Sequence, residues 1–315
     1  DRYRRLDGAR TVHGAVTGVD TASRTVSYKD ADGATGTEPY DVLVIASGVT
    51  NGFWRRPDVQ TETEVDDAVR SAHQTLATAD SIAIIGGGAA SVGSAANLAD
   101  AWPDKRIDLY FPGEAALPQH HRGVWQRVSK LLTDRGVGLH PGHRAVIPAG
   151  FDLDRITHEP VEWSTGQPAA SADAVVWAVG RVRPNSDWLP SELLDDGGFV
   201  RVEATLQLPG HPEIFAIGDV AATDPLRTSA RNRADKLLAR NIRSHLKGRR
   251  LGTYKPPRRR WGSVVGTQDN GLTVFAPNGK GYRIPSWSVD TVLQPLIVRR
   301  GIYGGIRRPS TKEKS

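Results

Sequence analysis

Two residue types are missing altogether, and each absence removes chemistry. No cysteine occurs among the 315 residues, which excludes disulfides, thiol nucleophiles and thiolate-bound metals. Methionine is absent too. A native chain starts with one, so Asp1 is expected to be an internal position of a longer protein. No apolar run reaches the roughly 18 residues that a membrane-spanning helix needs. No charged-then-apolar leader opens the chain. The nine histidines show no metal-ligand spacing, and no metal site is expected.

The remaining composition is that of a globular protein, 38% hydrophobic and 24% charged. The length implies two or three domains. Charge is unevenly spread. Leu246–Ser315 holds fifteen Lys and Arg against Asp269, Asp290 and Glu313, a net +12 within a total of +6. Such a region suits an anionic surface such as lipid, or it is a solvated basic face balanced by an acidic partner domain. No nucleic-acid-binding motif accompanies it, and nucleic acid is not an expected partner.

Residues 11–20 and 24–29 read as a hairpin of two Val/Thr-rich strands. "YDVLVIASG", Tyr40–Gly48, reads as a strand buried on both faces. Glu62–Ala79 has helical spacing with an acidic first turn. Strand and helix then alternate: Ser81–Ile85, Ala89–Ala101, Arg106–Phe111, Gly123–Arg135 and Val137–His140. That alternation implies a parallel sheet. Pro160–Thr165 reads as part of an inserted hairpin, and Asp173–Gly180, Val200–Leu206 and Ile214–Ile217 as strands. Thr228–Leu246 is a predicted helix, Trp261–Phe275 a hairpin turning near Asp269–Gly271, and Ser288–Arg300 an amphipathic helix kinked at Pro295.

The chemistry-bearing motif is "SIAIIGGGAAS". Gly86 and Gly88 follow a strand and open a helix, as a dinucleotide site requires. Gly86 permits the tight turn and Gly88 lets a diphosphate approach the backbone. Ala89, Ala90 and Ser91 begin a helix whose free amides and dipole favour phosphate. Ser91 replaces the usual third glycine, so looser helix–strand packing is expected there. The ribose would be read where the next strand ends, at Phe111. Asp108 lies inside that strand and Glu114 beyond it, while His120, His121 and Arg122 follow as solvated loop residues or as partners for a 2′-phosphate. The choice between NADH and NADPH stays open.

"YDVLVIASG", "IAIIGGGAA", "ADAVVWAVGRVRPN" and "IFAIGDVA" occur in one order and at one spacing. The chain thereby resembles the FAD-dependent pyridine nucleotide oxidoreductases. Its branch resembles type II NADH dehydrogenases and apoptosis-inducing-factor-like NAD(P)H–quinone reductases, over residues 10–250. The resemblance implies an α/β fold of two Rossmann-like three-layer domains, one inserted in the other, plus a small α+β C-terminal domain. Residues 1–79 and 181–247 would bind FAD, 80–180 NAD(P)H, and 248–315 would cover the flavin or form an interface. Implied cofactor contacts are Ala46, Ser47 and Gly48, Ala178, Val179 and Gly180, and Gly218 and Asp219, with Asp219 on the flavin ribitol. Thr228 and Ser229 would open a helix aimed at the flavin's pyrimidine edge. No side chain of the chain is assigned a catalytic step, because the flavin carries the chemistry.

The resemblance also implies hydride transfer from NAD(P)H to FAD and onward passage of electrons to a quinone or similar acceptor. A soluble reductase of a small redox protein and a turnover-deficient nucleotide sensor are the alternatives. Gly93 stands where the family carries Glu, and Asn97 where a further acid is common. No strand–GxGxxG–helix precedes Tyr40, so an N-terminally truncated chain that holds FAD poorly is expected. The expected location is cytoplasmic; an apolar stripe of Val289, Val292, Leu293, Leu296 and Ile297 beside Arg299 and Arg300 suits either plain packing of a helix on a core or peripheral contact with the inner face of the cell membrane.

Overall fold

The computed structural model describes residues 7–51, 53, 59–180, 182–223, 234–256 and 262–305. It opens with an antiparallel meander, β1 (Gly14–Asp20), β2 (Thr25–Asp30) and β3 (Thr35–Pro39). Asp20 makes the first turn by accepting the Ala22 and Ser23 amides at 2.8 and 3.0 Å. The third strand was not legible because it carries Gly36 and Pro39. Gly36 pairs with Tyr28, whose ring occupies the space a side chain would take.

Only Leu43–Ile45 of the predicted Tyr40–Gly48 strand pairs in a sheet, as β4. Ala46 and Ser47 are exposed, and Gly48 takes a φ of +68° before β5 (Val49–Thr50). Helix α1 (Glu62–Thr78) starts at a reciprocal cap, with Thr61 Oγ1 accepting the Glu64 amide and the Glu64 carboxylate accepting the Thr61 amide. Its last turn has no basic residue of its own, and Lys105 donates to the Ala77 and Ala79 carbonyls instead.

The inserted unit follows: β6 (Ser81–Ile85), α2 (Ala89–Ala101), β7 (Arg106–Tyr110), α3 (Arg122–Asp134), β8 (Gly138–His140) and β9 (Ala174–Trp177). Its parallel sheet has the order β8-β7-β6-β9. Ile82–Ile85 in central β6 are buried, as a strand covered on both faces demands. One face packs Ile82, Ile84 and Leu109 against Val92, Ala95, Val128 and Leu132 of α2 and α3. The other face packs Ala83, Ile85 and Trp177 against Phe151, Leu153, Val161 and Trp163. The latter residues belong to an excursion pinned by Ala145–Trp163 and Val161–Ala170 bridges, the inserted hairpin expected near residues 160–165. Below the sheet, the Asp173 carboxylate accepts the Asp80 and Ser81 amides and the Ser81 hydroxyl at 3.2, 2.8 and 2.7 Å.

The chain returns through β10 (Arg183–Pro184), antiparallel to β5. β11 (Gln207–Leu208) and β12 (His211–Ala216) complete a sheet with β4, in which β12 and β4 run parallel. The predicted strand Val200–Leu206 is not formed. Val200 makes single bridges to Leu194 and Ala221, and Leu206 adopts a φ of +70° with its amide turned to Glu203. That left-handed residue ends any extended run. Helix α4 (Ala234–His245) packs Ala234 and Leu238 on Phe215 and Leu206.

A final antiparallel sheet is built from β13 (Thr267–Gln268), β14 (Gly271–Phe275) and β15 (Gly281–Ile284). It turns at Asp269–Asn270 as expected and adds an unanticipated third strand. Pro295, expected to kink an α-helix, is accommodated by a wider spiral: Val289–Ile302 is π-helical. Val289 is buried, whereas Val292, Leu296 and Ile297 are 42%, 53% and 50% exposed. No helix among the described residues is long and apolar enough to cross a membrane.

Candidate nucleotide-binding site

The glycine turn sits where β6 meets α2. Gly86 is buried, and its amide donates to the Tyr110 carbonyl at 2.8 Å. Its φ of +142° and the close passage of β9 both require glycine, since a Cβ would lie 2.1 Å from the Ala178 oxygen. Gly87 accepts the Leu117 amide at 2.7 Å, which ties the loop after β7 to the turn. Gly88 is the N-cap of α2, has open space where a Cβ would go, and provides no side-chain cap. Gly88, Ala89 and Ala90 are exposed. Among the described residues the turn is therefore unobstructed, and the helix start presents amides and a positive dipole end outward.

Ser91 is fully buried, and its hydroxyl donates to the Gly88 carbonyl at 2.8 Å. The hydroxyl is thus satisfied within the first turn and does not compete for the outward amides. Phe111 is also buried, edge-on to Trp125 of α3. Burial holds the nearby His120 below the usual imidazole range. His121 caps α3, with its Nδ1 accepting the Gly123 amide at 3.1 Å.

Ala178 donates its amide to Ile85 at 2.8 Å, so Ala178, Val179 and Gly180 leave the sheet beside the glycine turn. The chain then reaches Asn185, which sequence reasoning left outside the site. Asn185 clasps the other sheet. Its amide donates to Gly48 O, its Nδ2 to Ser47 O, and its Oδ1 accepts Thr50 Oγ1, while Ser47 Oγ donates to its carbonyl. Because β4 and β12 are parallel with Ile45 beside Ala216, Ala46–Gly48 and Gly218–Asp219 leave adjacent strands at the same end. Gly218 has a φ of +81°, and Asp219 is half-buried. Thr228 and Ser229 lie outside the described residues.

A polar cluster that was also illegible in the sequence seats the C-terminal sheet on α2 and α3. Buried Gln268 donates to Asn97 Oδ1 at 3.0 Å and to Val265 O at 2.7 Å. It accepts from the Arg135 guanidinium, which also holds Ala96 O and Asp100. Val264 and Val265 join the α2–α3 core, and Val264 O would lie 3.0 Å from a Cβ at Gly93. Gly93 and Asn97, which stand where the family carries acids, thus both meet the C-terminal segment. Among the described residues no metal-binding cluster exists.

The Gly86 and Gly88 cradle fits the diphosphate of a dinucleotide, and the paired strand ends at Gly48 and Asp219 fit a second group beside it. Oxidoreductase ptaL of Pestalotiopsis fici is 26% identical over 296 residues, covering 91% of this chain and 75% of that protein. Ferroptosis suppressor protein 1 of Homo sapiens is 26% identical over 251 residues, covering 77% of this chain and 65% of that protein. The chain thus spans just under two thirds of the latter. A FAD-dependent pyridine nucleotide-disulphide oxidoreductase from Desulfovibrio vulgaris superposes with a TM-score of 0.59 at 22% identity, over 86% of this chain and 72% of that one. The family profile described as pyridine nucleotide-disulphide oxidoreductase matches residues 4–242, and the chain belongs to that family.

Proposed function

We propose that the chain is a flavin-dependent oxidoreductase. It takes NAD(P)H on the Gly86–Ala90 turn and FAD at the strand ends carrying Ala46–Gly48 and Gly218–Asp219. Electrons leave to a quinone or similar small acceptor. The observation that carries this reading is the run from Ala178 to Asn185. It leaves the sheet against the glycine turn and, within seven residues, is hydrogen-bonded to Ser47 and Gly48.

When bound, the flavin supplies the redox chemistry, acceptance of a hydride and release of electrons. The protein's share is placement. Gly86 brings β9 close to the turn, Gly88 keeps the helix start clear for the diphosphate, and Asn185 fixes the Ser47–Gly48 backbone. Asp219, leaving β12 beside them, offers a carboxylate to a ribitol hydroxyl. These 315 residues carry no cysteine for a dithiol relay, and electrons are read as passing to an acceptor outside them. Exposed Trp287, Leu296, Ile297 and Tyr303 beside Arg299 and Arg300 suit contact with an anionic membrane holding such an acceptor.

Anaerobic addition of NADH or NADPH to FAD-loaded protein tests the reading. Bleaching of the flavin's visible band is expected, with reoxidation by a short-chain quinone. Retention of FAD without bleaching refutes it in favour of a nucleotide sensor. The lack of a carboxylate at Gly93 and Asn97 is what favours that second reading. Reoxidation by a small redox protein alone would replace the quinone. Co-sedimentation with anionic vesicles tests the membrane contact.

A further inference from the structure

An inference about coenzyme choice rests on the NAD(P)H reading above. In strand–turn–helix dinucleotide sites, a carboxylate at the end of the second strand receives the ribose 2′-hydroxyl and repels a 2′-phosphate. Here that carboxylate is missing from its place. The acid of β7, Asp108, lies two residues short of the strand end and is already committed. Its Oδ1 meets His140 Nε2 at 2.7 Å, and its Oδ2 lies 3.3 Å from Arg106 Nε. The pair lies over Gly138 on β8, where a side chain would clash with the carboxylate.

The strand end itself carries no carboxylate. Tyr110 is stacked between the His140 and Trp163 rings, with centroids 4.3 and 4.8 Å away. Phe111 is turned into the core. The loop beyond is laced to its surroundings, with Gly113 O accepting the Gly142 amide and Phe111 O the His143 amide. These bonds place the start of the 112–122 loop beside the 141–144 loop at the sheet's carboxyl end. The first loop leads into Arg122, the first residue of α3, and the second ends in Arg144, both exposed. The acid between the strand end and Arg122 is Glu114, also exposed.

We infer that this chain does not discriminate against the 2′-phosphate, and binds NADPH at least as tightly as NADH, with Arg122 and Arg144 supplying the positive charge. A guanidinium suits a phosphate geometrically as well as by charge.

The test is direct binding of each reduced nucleotide to the full chain, followed by nicotinamide fluorescence and needing no turnover. Equal or tighter binding of NADPH is expected. Raising the salt should weaken NADPH more than NADH, and Arg122→Ala combined with Arg144→Ala should weaken NADPH at least 5-fold while leaving NADH unchanged. Measurably tighter binding of NADH than of NADPH would overturn the inference, and relief of that bias by Glu114→Gln would identify the carboxylate responsible. Equal loss of both nucleotides in the double variant would also overturn the assigned role of the arginines. If neither nucleotide binds the unaltered chain, the coenzyme reading itself fails, a distinguishable result.

Discussion

Two glycines in one turn answer to different demands, and substituting each with alanine separates fold from function. At Gly86 an added Cβ would sit 2.1 Å from the Ala178 carbonyl oxygen, which is backbone and cannot rotate away. Alanine at a φ of +142° also adds conformational strain, of order 1–3 kcal/mol. Relief requires β9 to part from β6 at its end, breaking the 2.8 Å Ala178–Ile85 hydrogen bond, worth roughly 1 kcal/mol. With some lost packing the total is about 3–5 kcal/mol, a large share of a typical domain's stability of roughly 5–15 kcal/mol. Spread over the whole 315-residue chain, at roughly 2–3 °C per kcal/mol, it corresponds to a Tm lower by about 10 °C. Gly88 is the contrast. It has a φ of −91° and open space around it, so Gly88→Ala should cost about 1 kcal/mol or less. Its methyl would stand where the diphosphate approaches, and NAD(P)H affinity should fall more than 10-fold. Thermal denaturation with and without nucleotide measures both. An unchanged Tm for Gly86→Ala, or undiminished nucleotide binding by Gly88→Ala, would refute the assignment of roles.

Hydrogen bonds from the Ser81 hydroxyl, then from the Ser81 and Asp80 amides, hold the Asp173 carboxyl below the usual carboxylate range. A depressed folded-state pKa stabilises above the unfolded value and loses that stabilisation as pH falls through the folded one. Denaturant midpoints of Asp173→Asn should therefore vary less between neutral and acid pH than those of the parent, and parallel pH profiles would contradict this. Gln268→Ala should loosen the C-terminal sheet at a cost of about 1–3 kcal/mol. Limited proteolysis should then cut first within residues 262–305, and unchanged cleavage would show that the cluster does not anchor the sheet. Tyr40 buries its hydroxyl without a hydrogen-bond partner among the described residues, and burial followed by the nearby Glu213 charge pushes that group upward. Tyr40→Phe should be neutral or stabilise by up to about 1 kcal/mol in urea titration; marked destabilisation would mean the hydroxyl has a role.

The inserted domain was legible because its rules are local. A buried run such as Ile82–Ile85 and a glycine triplet specify strand, turn and helix without reference to the rest of the chain. Failures came where distant residues decide. Leu206 looks like strand, yet its positive φ is imposed by the turn back to Glu203. Asn185 looks like turn chemistry, yet it joins two segments about 138 residues apart. The seat of the C-terminal sheet depends on Gln268 meeting Asn97 and Arg135 across separations of 171 and 133 residues. No periodicity encodes such a meeting. Gly93 is read from sequence as a lost acid, whereas in space it leaves room for the Val264 backbone.

The clasp of Gln268 and Val264 on α2 and α3 ties residues 262–305 to the inserted domain. Three passages of chain, ahead of β6, behind β9 and beyond α4, link that joint body to its host. Any displacement of the inserted domain relative to the host would therefore be felt at Trp287, Leu296 and Ile297.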